Sequence, residues 1–207
     1  MLIELLQIIL LFIVPVLLIY YKIIPFKQRK NTLIIVSLIV IAIIILEKTT
    51  LKQLGINLSN PTQYLLPYLL FTVIVLVSLV TLSKILKRKP QPNFFSQSHF
   101  IYGFIIVSAL QELLFRGFLF PKLQTIFSGD YTIILVNAIL FTLIHSIYSN
   151  DTISIVIIFI GGIGFAAIYW IYPNLILITI SHAILNFVAV LYNFYYEEKT
   201  TVKIIKE

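Results

Sequence analysis

Apolar runs long enough to cross a bilayer recur from one end of this chain to the other. A stretch of about 18 or more such residues reads as a spanning helix. The segment 152–170, TISIVIIFIGGIGFAAIYW, carries no charged side chain at all. Only 11% of the 207 residues are charged while 60% are hydrophobic, and no soluble domain of this size needs so much apolar surface. In hydrocarbon, backbone N–H and C=O groups must find partners within the protein, which leaves helices or a closed barrel. The alternating ten-residue segments of a barrel are absent. The expected fold is all-α, a polytopic transmembrane helical bundle of about seven to eight spans, and the expected location is the cell membrane, as a multi-pass protein.

Spans are expected over roughly 2–21, 32–47, 64–83, 100–120, 131–149, 152–170 and 174–196. The opening MLIELLQ lacks a basic region and has no small-residue cleavage site after its apolar run, so it reads as a retained first span and not a removed signal. Residues 48–63 are polar, carry Gly55 and Pro61, and are placed at the membrane interface. Residues 84–99, KILKRKPQPNFFSQSH, read as a basic, proline-broken linker in which His99 is solvated. No internal repeat or low-complexity tract is present. The chain thus divides into N-terminal membrane helices and linker (1–99), a helical core (100–196) and a charged, solvated tail (197–207).

The formal net charge of +7 comes mainly from two connectors, Lys22-Lys27-Arg29-Lys30 and Lys84-Lys87-Arg88-Lys89. In a membrane protein such clusters set orientation, so both are placed in the cytoplasm with the N-terminus outside, and no nucleic-acid partner is implied. With no cysteine, disulfides, thiol nucleophiles and cysteine metal sites are excluded. Tyr20, Tyr21, Tyr64, Tyr68, Trp170, Tyr172, Tyr192, Tyr195 and Tyr196 crowd the expected span ends as an aromatic belt. Gly161, Gly162 and Gly164 permit close helix packing.

Within the spans after residue 100, the ionisable side chains other than tyrosine are Glu112, Arg116, His145 and His182. They fall in three short clusters: Gln111, Glu112 and Arg116 in QELLFR, Phe141 and His145 in FTLIH, and His182 and Asn186 in HAILN. Residues four apart share a helix face, so each cluster points one way. Ionisable groups at membrane depth mark functional sites by default. Glu112 and Arg116 can pair along their helix, which lowers the penalty of burying both; an internal ion pair that positions helices is the plain alternative. Gln111 lies about 100° around from Glu112. Asn137, Phe141 and His145 form one stripe, and a His–Asn pair can offer two donors to one oxygen. A carboxylate, two imidazoles and an amide suffice to activate water and stabilise a tetrahedral intermediate. Two histidines and a glutamate are also a zinc set with an open fourth position, although no HExxH motif is present. A carrier with a proton path is disfavoured, since the polar groups are confined to one half and no repeat is visible.

This order and spacing resemble the CPBP family of intramembrane endopeptidases, which includes type II CAAX prenyl proteases and bacteriocin-processing or immunity (Abi) proteins. The family signature is EExxxR, FxxxH and HxxxN on successive core helices; here the matching stretches are Gln111-Glu112 to Arg116, Phe141 to His145 and His182 to Asn186. The FRGFL continuation and the glycine-rich helix ahead of HAILN are also similar, so the likeness covers about residues 100 to 190. It implies an endopeptidase acting on a membrane-associated peptide or protein, with membrane lipid as its surroundings. By the same resemblance His145 orients or activates water, His182 and Asn186 stabilise the oxyanion, and Arg116 anchors Glu112. Many members are labelled metalloproteases, which would make Glu112, His145 and His182 zinc ligands; whether a metal takes part stays open. The chain departs from the pattern at Gln111, which stands where the family has its first Glu. Two readings follow. Glu112 serves as the base, with Gln111 orienting water or substrate, or the site keeps its shape as a catalytically inactive membrane scaffold or immunity protein.

Overall fold

A computed structural model describes residues 1–56, 61–92, 94, 98–147 and 151–194. Among them, helices form seven rods and no strand occurs. The first rod is α1 (Leu2–Ile8), a π-helical stretch (Ile9–Ile13) and α2 (Val14–Tyr20). Next come α3 (Arg29–Leu46) and α4 (Pro61–Ile85). The fourth rod joins α5 (Ser98–Glu112), a second π-helical stretch (Leu113–Leu119) and α6 (Phe120–Ile126). The last three are α7 (Asp130–His145), α8 (Thr152–Ile171) and α9 (Leu175–Leu191). Five rods are long and apolar enough to cross a membrane; α7 and α9 are shorter apolar helices. Ile34, Leu38, Leu69 and Ile74 are exposed on the outside of the bundle, as expected where lipid, and not water, is the solvent.

Both π-helical stretches end just before a proline, Pro15 in one rod and Pro121 in the other. Proline has no N–H for the carbonyl four residues back, and its ring clashes with that carbonyl. Widening the preceding turn to an i→i+5 pattern relieves the clash and keeps the rod going. In the fourth rod the widened turn begins immediately after Glu112.

The chain alternates direction through the bundle. At one end, Gln91 N–H donates to Leu191 O at 2.9 Å, and Arg88 reaches both Asp151 Oδ2 (2.5 Å) and Asn193 O (2.5 Å). These contacts join the exit of α4 to the start of α8 and the end of α9. At the other end, Lys122 donates to both oxygens of Glu47 (2.6 and 2.7 Å) and Gln7 Nε2 donates to Glu47 Oε1 (3.2 Å), tying α1, α3 and α6 together. The turn over residues 51–55 closes this second end. Leu54 is buried, and Leu175 N–H donates to Gly55 O at 2.9 Å. Counting passes from the Gln7–Glu47 end places both basic connectors at the Arg88 end. Arg88 therefore clamps two helices in addition to marking a side. Asp151 caps α8 by accepting from the N–H groups of Ile153 and Ser154; the Ser154 hydroxyl, and then the Arg88 guanidinium, hold its carboxyl below the ordinary 3.8.

Several expectations need correction. The spans expected to reach 149 and 196 stop at His145 and Leu191. At the second, Phe194 N–H bonds back to Ala189 O at 2.8 Å across Asn193, whose φ is 57°. α5 starts at Ser98, inside the expected linker, so the backbone at His99 is helical; its side chain lies outside what is described. So do Tyr195, Tyr196 and the 197–207 tail. Tyr68 belongs to the core, not the belt: it is 2% exposed and donates to Tyr172 O at 2.8 Å. Of the three glycines of α8, Gly162 sits closest to α7, where a Cβ would stand 3.2 Å from Phe141 and 3.4 Å from the Ala138 backbone.

Candidate active site

Glu112 ends α5 midway along the rod that runs from Ser98 to Ile126. It has no exposed surface. Its Oε1 accepts from His182 Nδ1 at 2.5 Å, across from α9, and from Arg116 Nη1 at 3.2 Å, one turn on. Arg116 is also fully buried. Its guanidinium carbon lies 5.2, 5.6 and 5.8 Å from the ring centroids of Phe141, Phe165 and Phe115, whose π faces favour a cation. A charge-assisted pair of this kind is what allows an anion and a cation to share a dry interior. The Phe115 carbonyl accepts the Phe120 N–H of the widened turn and also Asn137 Nδ2 from α7, at 3.0 Å. Asn137 shares a stripe with Phe141 and His145 and supports the backbone of the site.

His145 is the last residue of α7 and 3% exposed. Its Nδ1 lies 2.7 Å from Phe141 O. A carbonyl can only accept, so Nδ1 carries the proton and, in the neutral ring, Nε2 keeps its lone pair. His182 is set in the same way, Nδ1 toward Glu112 and Nε2 opposite. The Phe141 ring touches both imidazoles, with centroids 4.3 Å from His145 and 5.6 Å from His182; Phe165 backs His182 at 5.0 Å. α9 is anchored one residue earlier, where the hydroxyls of Ser181 and of Thr72 on α4 hydrogen-bond at 2.8 Å.

The structure thus joins Glu112, Arg116 and His182 by hydrogen bonds and packs His145 against the Phe141 ring that His182 also meets. Among the described residues no hydrogen bond joins Gln111 or Asn186 to that cluster. Asn186 is half-buried one turn beyond His182. Gln111 points elsewhere: it lines a cavity of about 50 Å³ with Phe12, Arg29, Thr32, Leu114 and Ile144, and its Oε1 has no partner. Thr72, Tyr68 and the supporting role of Asn137 escape a search for ionisable groups; their signal is a lone polar atom in an apolar helix.

Zinc would need three donors aimed at one centre. Among the described residues no three His, Asp or Glu side chains are so gathered. The oxygen of Glu112 best placed to share with His182 is taken up by Arg116, whose positive charge opposes a dication at that point. The donors as placed do not fit a resident zinc ion, and no chemical step is routed through one.

Residues 94–188 match the family model described as type II CAAX prenyl endopeptidase Rce1-like. No curated protein and no solved structure matches the chain. The matched segment contains all three polar clusters and both side chains hydrogen-bonded to Glu112 among the described residues. This match, over a little under half of the chain, supports its placement with the CPBP/CAAX proteases.

Proposed function

We propose that the protein is an intramembrane endopeptidase that hydrolyses a peptide bond of a membrane-associated peptide or protein. The observation that carries this reading is the hydrogen bond from His182 to the fully buried Glu112. A carboxylate behind an imidazole fixes its tautomer and stabilises its protonated form. Glu112 therefore acts through His182 as a positioning residue, and Arg116 pairs with Glu112 one turn on. His145, with Nδ1 held by Phe141 O, offers Nε2 to take the proton of the attacking water. The amide of Asn186 donates to the carbonyl oxygen as it gains charge, and His182 Nε2 is a second donor when it carries a proton taken from solvent. The proton held on His145 then passes to the leaving amine. Gln111, aimed into the separate cavity beside α3, takes no proton.

The experiment is cleavage of membrane-anchored peptides, prenylated and unprenylated, by the purified protein in liposomes, read by mass spectrometry. The wild type cuts, and His145→Ala, His182→Ala and Glu112→Ala lose the activity. Undiminished cleavage by His145→Ala and Glu112→Ala sinks the mechanism. Cleavage persists in chelator; loss restored by zinc overturns the metal-free reading.

A second reading, a catalytically silent membrane scaffold or immunity protein, is favoured by Gln111, an amide that cannot act as a base where the family has a carboxylate. Turnover by neither the wild type nor Gln111→Glu supports it, and any wild-type cleavage excludes it.

A further inference from the structure

The buried guanidinium of Arg116 uses only Nη1 on Glu112; among the described residues Nε and Nη2 have no hydrogen-bond partner. Buried donors are nearly always satisfied, so two orphans on one side chain call for an explanation. Nε–H and the outer Nη2–H of a guanidinium point the same way. Together they make a side-on fork whose spacing matches two oxygens of a carboxylate or phosphate.

Arg116 also lines a cavity of about 390 Å³ at the end of the bundle opposite the basic connectors. Lys52, Gln53, Gln124, Tyr169 and Trp170 contribute to its wall. The volume falls within the range of small-ligand pockets. The wall is a built one. Gly55 has φ +73°, and a Cβ there would stand 2.2 Å from Tyr169 Oη. Tyr169 Oη donates to Leu54 O at 3.3 Å, and Gly55 O accepts from Leu175 N–H. The turn over residues 51–55, α8 and α9 are thereby fixed around the opening.

Charge points to the occupant. Glu112 already balances Arg116, so an added anion needs a further cation, and Lys52 supplies one at the exposed rim. We propose that this cavity binds an oxyanion group, a phosphate or carboxylate, through the side-on fork of Arg116 with Lys52 as counter-charge. The group is either the headgroup of an anionic lipid or a small anion from solution. The site is separate from the imidazoles, and it holds whether or not the protein cleaves peptides.

The test uses the full chain in phosphatidylcholine nanodiscs, with thermal unfolding as readout. One arm adds inorganic phosphate against chloride at equal ionic strength. The other dopes the discs with phosphatidylglycerol and adds native mass spectrometry to detect retained lipid. We expect stabilisation in at least one arm, with apparent affinity about tenfold weaker in Lys52→Glu and retained in Lys52→Arg. Stabilisation by phosphate alone assigns a soluble anion, and stabilisation with retained phosphatidylglycerol assigns a lipid. Because Lys52 is exposed on a turn, both variants fold, and peptide cleavage is unchanged in them. No stabilisation in either arm, or equal stabilisation of Lys52→Glu, overturns the proposal.

Discussion

Replacing Glu112 by glutamine keeps the side chain's shape and removes its charge, which leaves the Arg116 guanidinium buried without an anion. At 3.2 Å and an effective dielectric constant of about 20, the attraction between the two is roughly 5 kcal/mol. Removing one partner of a buried pair costs about 3–5 kcal/mol, because the other charge stays behind. His182 keeps an acceptor in the amide oxygen, so its hydrogen bond contributes only about 1 kcal/mol to the loss. Glu112→Gln should therefore destabilise the protein by about 3–5 kcal/mol. Arg116→Met should cost a similar amount, since it strands the carboxylate. The double variant strands neither charge and should come back to within about 2 kcal/mol of wild type, a coupling that only interacting sites show. The assay is reversible unfolding in mixed micelles by detergent titration, followed through the fluorescence of Trp170, the single tryptophan. If Glu112→Gln unfolds at the wild-type midpoint, or the double variant loses the full sum of the two singles, the buried pair is not what holds these charges and the reasoning fails.

Gly55→Ala should destabilise by about 2–4 kcal/mol in the same titration, since it forces a Cβ into the left-handed region and against Tyr169 Oη; a wild-type midpoint would show that the turn yields freely. Asp151 is held below its ordinary value, so its contribution is complete above about pH 3.8 and is lost as pH falls through the depressed value. Thermal unfolding should show that acid-side loss in the wild type and not in Asp151→Asn, at under about 1 kcal/mol because the carboxylate is 42% exposed. Gln111→Glu should lower the unfolding midpoint by about 1–3 kcal/mol and leave cleavage dependent on His145; cleavage by the double variant Gln111→Glu, His145→Ala would refute the assignment of the base. Single cysteines at Lys27 and Lys52 should label from opposite faces with an impermeant maleimide, Lys27 from the cytoplasm; labelling of both from one face would refute the topology.

Where hydropathy alone sets structure, the sequence was enough. The seven expected spans correspond to the seven rods among the described residues, and the four-residue step from Glu112 to Arg116 correctly paired them. Span ends were less legible. His145 stands at the end of α7, not inside a longer helix, because an apolar tract does not say where a helix stops. The π-helical turns at Leu113–Leu119 and Ile9–Ile13 had a signal in Pro121 and Pro15, which demand relief on the preceding turn. Tyr68 was misplaced because its distance from the helix end suggested a belt position, whereas its hydroxyl finds Tyr172 O inside the bundle. Helix phase gave the face of Glu112 and its Arg116 partner but not which neighbouring helix meets it; only the resemblance grouped it with His182.

Gln111 and Glu112 are neighbours in sequence that face different surroundings. A helix turns about 100° per residue, and Glu112 spends that angle facing α9 while Gln111 faces a small cavity beside α3 and α7. Among the described residues Arg116 is the cation paired with Glu112. Arg29 lines the cavity of Gln111, but its Nη1 donates to Phe26 O and its guanidinium sits over the Phe26 ring at 4.1 Å. A glutamate at position 111 would thus be a second buried carboxylate with no cation committed to it, and the neutral amide avoids that penalty. The same economy removes the most direct proton acceptor from the cavity. On the proposed reading the base then comes from the next element along, His145 at the end of α7, whose Nδ1 is committed to Phe141 O.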